Sequence, residues 1–347
     1  MTAKLYAGLD VSLEMTAVCV MDQDGQLVRE VKVRTCPAAL AAMLAGCDGR
    51  FERIGLEAGP LSEWLVRGLA KLGVDSVLIE TRQAHKALSA MTVKTDRNDA
   101  RGLAHLLRMG WFRPVHVKSI SAREQRAWLA GRETLVKQLR DLENSVRGLL
   151  RGFGLRVPTH QRGRWAKAVR QLIEGHPCLP AIFEPLLGAC EAMREQLVVL
   201  DRQVRNIVRD DPVCRRLMTA PGVGAIVALT FRSSVDDPTR FRSSRSIGAF
   251  FGLTPRRYQS GEMDRVGAIS KVGDTATRAA LFEAAHVLMT RVVKWSALKA
   301  WGVRIAQRRG AKRGKVALAR KIAIVLHRMW ISETDFRYSS QQATTAI

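Results

Sequence analysis

The hydrophobic pattern changes its period near residue 114, and this change limits the fold more than any other feature of the sequence. The runs LYAGLDV, TAVCVMD and QLVREVKVR come first, with a DQDG turn signal between the last two, which is typical of an antiparallel meander. RIGLEA, WLVRGLAKLG and VDSVLIET then follow the pattern strand, helix, strand, which predicts parallel pairing through a crossover helix. We therefore predict an α/β domain with a mixed sheet over residues 1–114.

Beyond residue 114 the apolar residues recur with helical spacing. Two series step alternately by four and three residues: Leu135, Leu139, Leu142, Val146, Leu149 and Phe153, and then Leu186, Cys190, Met193, Leu197, Leu200, Val204 and Ile207. Such heptad seams predict two helices with narrow apolar stripes, which pack either as an antiparallel hairpin or as an intermolecular coiled coil. We predict a helical coiled-coil segment over 115–210, a mainly α domain over 211–335 and a disordered tail over 336–347.

The positive charge is concentrated after the first domain. The chain carries a net charge of +24, yet its first hundred residues hold 12 Lys and Arg against 13 Asp and Glu, so residues 101–347 hold +25. A field of this strength favours a polyanion, and nucleic acid bound through its phosphates is the first candidate. A membrane surface is the weaker alternative because no long amphipathic helix is evident, and a merely solvated basic surface is the other.

The six cysteines form no Cys-x-x-Cys pair and follow no zinc-ligand spacing, so we expect reduced thiols and no structural zinc. The apolar runs fall short of the roughly 20 residues of a spanning helix, and the N-terminus shows no charged-then-apolar leader. We expect a soluble cytoplasmic protein associated with the nucleoid.

Four carboxylates occupy positions that favour a metal site. Asp10 and Glu57 end two apolar strands that we predict to be central and adjacent, and Asp96 and Asp99 lie three residues apart at the start of a helix. Ligands bind in the crevice at strand ends of α/β sheets, and clustered like charges need protons or cations to neutralise them. Because Mg²⁺ prefers oxygen ligands and leaves positions for phosphate, the set predicts metal-assisted phosphoryl transfer.

Each carboxylate also has an ordinary interpretation. Asp96 is a possible helix N-cap, Asp99 a first-turn partner of the helix dipole, Glu57 a surface acid and Asp10 an Asx-turn residue. Only their joint placement favours the metal site over these readings.

The stretch APGVG, which contains Gly222 and Gly224, precedes a helix of small residues. It is similar to a helix-hairpin-helix turn, in which glycines let backbone N–H groups approach a phosphate. A plain Pro-Gly turn is the alternative.

Several motifs occur together in one order. GLDVS, LEAGP and KTDRNDA supply an Asp-Glu-Asp-Asp set, and APGVG and GLTPRRYQSGEMDRVGAISKVGD follow in the basic region. From Tyr6 to about Trp330 the chain closely resembles the DEDD-type insertion-sequence transposases, the recombinases that use a bridge RNA.

The resemblance implies an RNase H-like N-terminal domain, a helical coiled-coil insertion and a C-terminal transposase domain. It implies that Asp10, Glu57, Asp96 and Asp99 bind Mg²⁺ and that Ser260, in the SG pair, attacks DNA. It also implies a homo-oligomer, a dimer or a tetramer, that holds donor and target duplexes, a structured guide RNA that specifies both, and a site whose serine and carboxylates come from different subunits. The sequence departs from the family pattern at Glu262, where small or basic residues are usual, and at Thr277, where Leu is usual.

The residues themselves are compatible with chemistry at Ser260. A serine hydroxyl becomes nucleophilic when a base or metal takes its proton, and Gly261 permits an exposed tight turn. Guanidinium and ammonium groups near it can clamp a scissile phosphate. These candidates are Arg256, Arg257, Arg265, Lys271 and Arg278. Ser270 and Tyr258 are competing nucleophiles.

Three other functions remain open. A junction resolvase or nuclease would cut with metal-activated water and form no covalent adduct. An actin-like ATPase also has a first phosphate loop similar to GLDVS, but it needs a second copy of the fold and another Gly-rich loop, and we find neither. An architectural DNA-binding protein would use only the basic region.

Overall fold

The computed structural model describes residues 3–89, 95–158 and 164–338. The chain divides into two compact units, residues 1–118 and 119–347. The elements of the first unit are β1 Lys4–Val11, β2 Met15–Asp22, β3 Leu27–Arg34, α1 Pro37–Ala45, β4 Arg50–Glu57, α2 Ser62–Lys71, β5 Val77–Ile79, α3 Thr81–Leu88, α4 Asp96–Met109 and β6 Pro114–Val115.

The N-terminal unit is built on one mixed sheet with the strand order β3-β2-β1-β4-β5-β6. β1, β2 and β3 form an antiparallel meander, β4 pairs parallel with β1 and β5 pairs parallel with β4. The predicted α/β domain with a mixed sheet is therefore confirmed, and β1 and β4 are its two central strands. The short β6, which we did not predict, pairs antiparallel with β5.

The two faces of the sheet pack against different helices because side chains alternate along a strand. Leu5, Ala7 and Leu9 of β1 join one core with residues of α1 and α2, while Ala17 and Cys19 of β2 join another with α4. The even-numbered residues of β1 consequently face α4.

α4 approaches the sheet at two glycines. A Cβ atom at Gly8 would overlap the backbone of Ala100 and Ala104 and lie 2.9 Å from Cβ of Leu103. A Cβ atom at Gly55, which is the register partner of Gly8, would lie 2.7 Å from a methyl group of Leu107. The absence of side chains on these two neighbouring strands thus lets α4 lie directly on the sheet.

The second unit is mainly helical, as predicted. Its elements are α5 Ile120–Gly152, α6 Trp165–Ile173, α7 Leu179–Asp210, α8 Pro212–Met218, α9 Ala225–Val235, α10 Ser246–Phe250, β7 Pro255–Ser260, β8 Met263–Ile269, α11 Thr275–Thr290, α12 Ala297–Arg309 and α13 Ala311–Ile331. The antiparallel hairpin of β7 and β8 is an addition to the prediction. In the described part of the chain, no helix combines the length and apolar content needed to cross a membrane.

The two heptad seams lie on α5 and α7, which pack antiparallel within the chain. Arg132 near the start of α5 pairs with Asp201 near the end of α7, and Glu143 further along α5 pairs with Arg194 earlier on α7. Val146 and Cys190 of the seams are fully buried. The packing of α5 against α7 accounts for the narrow apolar stripes on both helices. A coiled coil between two copies of the chain stays a prediction.

A polar network ties α11 to α5 and α9. Asp274 caps α11 by accepting from the N–H of Thr277, and it also pairs with Arg126 at 2.6 Å. The buried Thr277 hydroxyl lies 2.6 Å from that of Ser234 on α9. Thr277, at a position where the resemblance leads us to expect Leu, therefore has a hydrogen-bonding partner inside the fold.

The end of the chain was expected to be disordered from residue 336. Phe336 packs against the helical core, and its N–H donates to the hydroxyl of Thr219 at 2.9 Å. Residues 339–347 of the predicted tail lie outside the described residues.

The contact at Gly8 yields a stability prediction. Gly8→Ala should lower the free energy of unfolding by about 2–3 kcal/mol, because the new methyl group overlaps backbone atoms of α4 that cannot rotate away. Urea denaturation measures the change. Gly59→Ala is the matched control, since nothing lies within 4 Å of a Cβ atom there, and it should stay within about 0.5 kcal/mol of the parent. Equal midpoints for the two variants would contradict the proposed contact.

Candidate active site

Asp10 and Glu57 lie side by side on the face of the sheet that α4 covers. Leu9 pairs with Leu56 in the parallel register, so the next residue on each strand comes at the same level, about 4.8 Å apart between strands. Both carboxylates point to the same side as Gly8 and Gly55, since each is two residues further along its strand. Both side chains are half-buried.

The first turn of α4 brings Asp99 to this region. Ala100, the next residue, has its carbonyl against Gly8, which is two residues before Asp10. Asp99 is half-buried, and its N–H donates to the carbonyl of Thr95. Asp10 and Glu57 are thus neighbours at one end of the sheet, and the turn of α4 that carries Asp99 lies near the same end. That these side chains bind a metal stays a prediction.

Asp96 has a different environment. Thr95 caps α4, because its hydroxyl accepts from the N–H of Asn98, so the interpretation of Asp96 as the N-cap is wrong. The Asp96 carboxylate instead accepts from the ammonium of Lys32 at 2.8 Å. This hydrogen bond and the charge of Lys32 lower the pKa of the Asp96 carboxyl.

Sequence reasoning missed Lys32. Its place follows from the register, because Asp10 pairs with Ala17 and Ala17 pairs with Lys32 across three neighbouring strands. The three residues form one row on the face that α4 covers. The ammonium group of Lys32 therefore lies on the same face as Asp10, on the second strand from it.

Glu30 holds the same helix in place. Its carboxylate accepts from Arg97 and from Arg101, the second at 2.5 Å, and its side chain is 11% exposed. Burial alone would raise the pKa of Glu30, but the hydrogen bonds from Arg101 and Arg97 lower it overall. Glu30 is thus a structural acid one row away from the predicted metal ligands.

The carboxylates fit a divalent metal in their chemistry. Carboxylate oxygens are the hard ligands that Mg²⁺ prefers, and Asp10, Glu57 and Asp99 come to the same end of the sheet. Within the described residues, however, no three acidic, His or Cys side chains are arranged as a metal-binding group. Asp96, the fourth carboxylate, is paired with Lys32.

Ser260 lies at the tip of an exposed arm in the second unit. We define the arm as residues 255–269, which are β7, β8 and the two-residue turn Gly261–Glu262. Every residue from 255 to 268 is exposed, and Ser260 pairs with Met263 across the turn. Gly261 has φ of 54°, in the left-handed region, as expected for the exposed turn of the SG pair.

The base of the arm is held tightly. A Cβ atom at Gly252 would overlap the backbone of Val272, and one at Gly273 would overlap the carbonyl of Phe250. The N–H of Lys271, whose φ is 56°, donates to the carbonyl of Gly252. The segments before and after the arm thus cross with their backbones in contact, which requires glycine at both crossing points.

Arg278 secures that crossing. Its guanidinium donates to the carbonyls of Phe251, Val272 and Gly273 at 3.0–3.3 Å and to the hydroxyl of Thr275. These bonds give the predicted phosphate ligand a structural role at the base. Arg256 also bonds there, to the carbonyl of Ser270.

The arm has two chemically different faces. Tyr258 pairs with Arg265, and Ser260 pairs with Met263, so these four side chains share one face. Arg257 lies on the opposite face, where it forms a bidentate pair with Asp264 at 2.6 and 2.8 Å. The hydrogen bonds from Arg257 lower the pKa of Asp264. Of these two arginines, Arg265 shares the face of the serine and Arg257 is neutralised on the other.

The competing serine is at the base and not at the tip. The N–H of Ser270 donates to the carbonyl of Thr254, and its hydroxyl accepts from Val272. Tyr258, the other competitor, is 61% exposed.

The two glycines of the predicted phosphate-binding turn have different roles. Gly222 has φ of 85°, and a Cβ atom there would lie 2.5 Å from the carbonyl of Ala284, so its conformation serves packing against α11. Gly224 is the N-cap of α9 and has open space around it. A cavity of about 310 Å³ opens at Gly224 and is also lined by Arg132, Asp201 and Arg205.

Comparison with known proteins identifies the family. The model of the IS116/IS110/IS902 transposase family matches residues 214–302, and a transposase model for DEDD enzymes of the IS110 type matches residues 7–154. A probable family 20 transposase of Pseudomonas aeruginosa is 30% identical over 290 residues, which are 82% of this chain and 85% of that protein. The chain belongs to the IS116/IS110/IS902 family of transposases.

A second relative agrees with this assignment. The transposase for insertion sequence element IS1111A of Coxiella burnetii is 28% identical over 342 residues, which are 95% of this chain and 90% of that protein. Among solved structures, RuvC of Thermus thermophilus matches with a TM-score of 0.25 and 15% identity, over 32% of this transposase and 99% of RuvC. That score is too low to carry weight for fold or activity. As a transposase, the protein cuts and rejoins DNA.

The ion pairs of α4 predict different effects for two acidic residues, the structural acid Glu30 and the candidate metal ligand Asp96. In this transposase Asp96→Asn should change the free energy of unfolding by about 0.5 kcal/mol or less, because its pair with Lys32 is more than half exposed. It should nevertheless abolish DNA cleavage. Glu30→Gln, the matched control, should lower stability by about 1–3 kcal/mol, since the two guanidiniums lose a charged acceptor and one of its two oxygens. Urea denaturation and a cleavage assay distinguish the variants, and an Asp96→Asn protein that unfolds would contradict the assignment.

Proposed function

We propose that this transposase cuts and rejoins DNA through a covalent phosphoserine intermediate at Ser260. The observation that carries the proposal is the placement of Ser260 at the tip of a fully exposed arm with a rigid base. A hydroxyl at such a tip can approach a phosphate of bound DNA. Ser270 lies at the base of the arm, and it could not approach one in the same way without disrupting the backbone crossing at Gly252 and Gly273. Membership in the transposase family supports the reaction class.

The proposed step is a transesterification. The Oγ atom of Ser260 forms a bond to a DNA phosphorus, and the bond from that phosphorus to the departing sugar oxygen breaks. The serine proton passes to a basic group, for which the carboxylates of the N-terminal unit are candidates, and the departing sugar oxygen gains a proton from water. Attack by a second strand's hydroxyl reverses the exchange, so the phosphoester energy is kept and no nucleotide cofactor is needed.

The carboxylates would act on the same phosphate. We propose that Asp10, Glu57, Asp96 and Asp99 hold Mg²⁺, whose charge would stabilise the negative charge that develops on the phosphate during the exchange. The neighbouring positions of Asp10 and Glu57, with the turn that carries Asp99 near the same end of the sheet, support this role. Lys32 must then release Asp96, so it competes with the metal for that carboxylate.

Two further parts of the proposal rest on the resemblance alone. The serine belongs to the C-terminal unit and the carboxylates to the N-terminal unit, and we propose that different subunits of a homo-oligomer supply them to one site. We also propose that a structured guide RNA specifies the donor and target DNA. A transcript of the noncoding DNA that flanks the coding region is the RNA to test.

Ser260→Ala should abolish a protein–DNA adduct that resists denaturation. The parent protein, incubated with Mg²⁺, the flanking transcript and DNA carrying the element end, should form this adduct, and Ser270→Ala, the matched control, should retain it. Denaturing gel electrophoresis of labelled DNA measures the product. An undiminished adduct in Ser260→Ala would refute the nucleophile.

The same assay tests the other functions. Strand breaks without an adduct in the parent protein would indicate a metal-dependent nuclease. DNA binding that persists in EDTA, with no breakage under any condition, would indicate an architectural protein.

The two faces of the arm predict unequal roles for two arginines. Arg265→Gln should slow adduct formation by about a hundredfold or more, because a charged donor beside the reacting phosphate is lost. Arg257→Gln combined with Asp264→Asn, which removes the neutralised pair on the other face, should slow it less than about fivefold. Single-turnover rates at saturating DNA provide the measurement. Equal effects would mean that the face of the arm does not matter.

A further inference from the structure

The end of the second unit carries an unusual run of charge. Between Glu283 and Glu333 the sequence contains no acidic residue and twelve Lys and Arg. Most of this run forms α12 and α13, and residues 303–331 lie outside the spans that the family models match. The run is also separate from the arm and from the cations assigned to it above.

α12 and α13 form a helical hairpin fixed by glycines. A Cβ atom at Gly302 of α12 would lie 2.8 Å from the side chain of Leu318, and one at Gly314 of α13 would lie 2.7 Å from that of Ala306. Gly310, with φ of 84°, joins the helices. The backbones can approach closely at both points, so the connection between the helices has a defined position.

That connection presents a compact group of cations. We define the basic turn as Arg308, Arg309, Lys312 and Arg313, all of which are exposed. In the described part of the chain, none of them forms an ion pair with a carboxylate. Four like charges within six residues repel one another, so an anionic partner would relieve the repulsion.

The helix dipoles add little to this field. Gly310 is both the C-cap of α12 and the N-cap of α13, so the negative end of one dipole and the positive end of the other lie in the same turn and offset each other. The attraction for anions therefore comes from the four side-chain charges.

The composition of the hairpin indicates which form of nucleic acid it fits. Recognition of unstacked bases relies on aromatic side chains. The two tryptophans of the hairpin, Trp301 and the buried Trp330, lie at the end away from the basic turn, and residues 302–329 contain no Phe, Tyr or Trp. Lys and Arg without such stacking surfaces are typical of contacts to the phosphates of a duplex. We propose that the basic turn binds the phosphate backbone of double-stranded DNA and does not read its sequence. The proposal does not depend on Ser260 or on a metal.

The test replaces the four cations in the full-length protein by glutamine, a good helix former. The slope of log affinity against log salt concentration for duplex DNA should fall by about 3–4, and affinity at 0.15 M salt should drop by about a hundredfold or more. The loss should be equal for element-end and scrambled duplexes. Arg309→Gln with Lys312→Gln alone should change the slope by about half as much, which keeps the test valid if the quadruple variant unfolds.

The matched control removes four exposed cations from the N-terminal unit: Arg50, Lys71, Arg82 and Lys86. It should leave the slope within about 1 of the parent. An unchanged slope in the basic-turn variants would overturn the proposal, as would an equal fall in the control. A defect confined to an RNA hairpin of the same length would also overturn it and would assign the surface to RNA.

Discussion

The contact between α4 and the glycine at the middle of β1 is the constraint on which the N-terminal unit depends. Side chains at Gly8 and Gly55 would hold the helix away from the sheet. Without that close approach, the first turn of α4 could not reach the strand ends that carry Asp10 and Glu57. The site is therefore a consequence of two missing side chains as much as of the acidic ones. Glu30 and its two arginines fix the rotation of the helix once the distance is set.

The C-terminal unit follows a different plan. The serine is kept out of any core, while the chain that carries it is locked at its base by Gly252, Gly273 and Arg278. Rigid anchoring and full exposure are compatible here because the arm is short, about 20 Å for six residues of strand. The contacts at the base thus fix the position at which the arm leaves the helical unit. The exposed residues of the arm remain available for contacts with a substrate.

The sequence was most informative where one period dominates. The apolar run of β1, the alternation of β2 and β3 and the repeated apolar steps on α5 and α7 predicted elements that the structure contains. The ends of the central strands predicted where Asp10 and Glu57 lie. The arm escaped prediction because both of its faces are exposed, so Arg257 to Val266 show no hydrophobic alternation. Lys32 and Asp264 escaped because the position of each depends on a register between strands, which one sequence does not reveal.

The unequal faces of the arm restrict how related proteins can vary in length. Because side chains on a strand change sides at every residue, inserting a single residue on one strand would rotate Ser260 away from Arg265 and toward the neutral side. Insertions of two residues, matched on both strands, would lengthen the arm and preserve its chemistry. The length of this arm in related proteins should accordingly differ by even numbers of residues on each strand. The length of the arm could then change in evolution while Ser260 and Arg265 stay on one face.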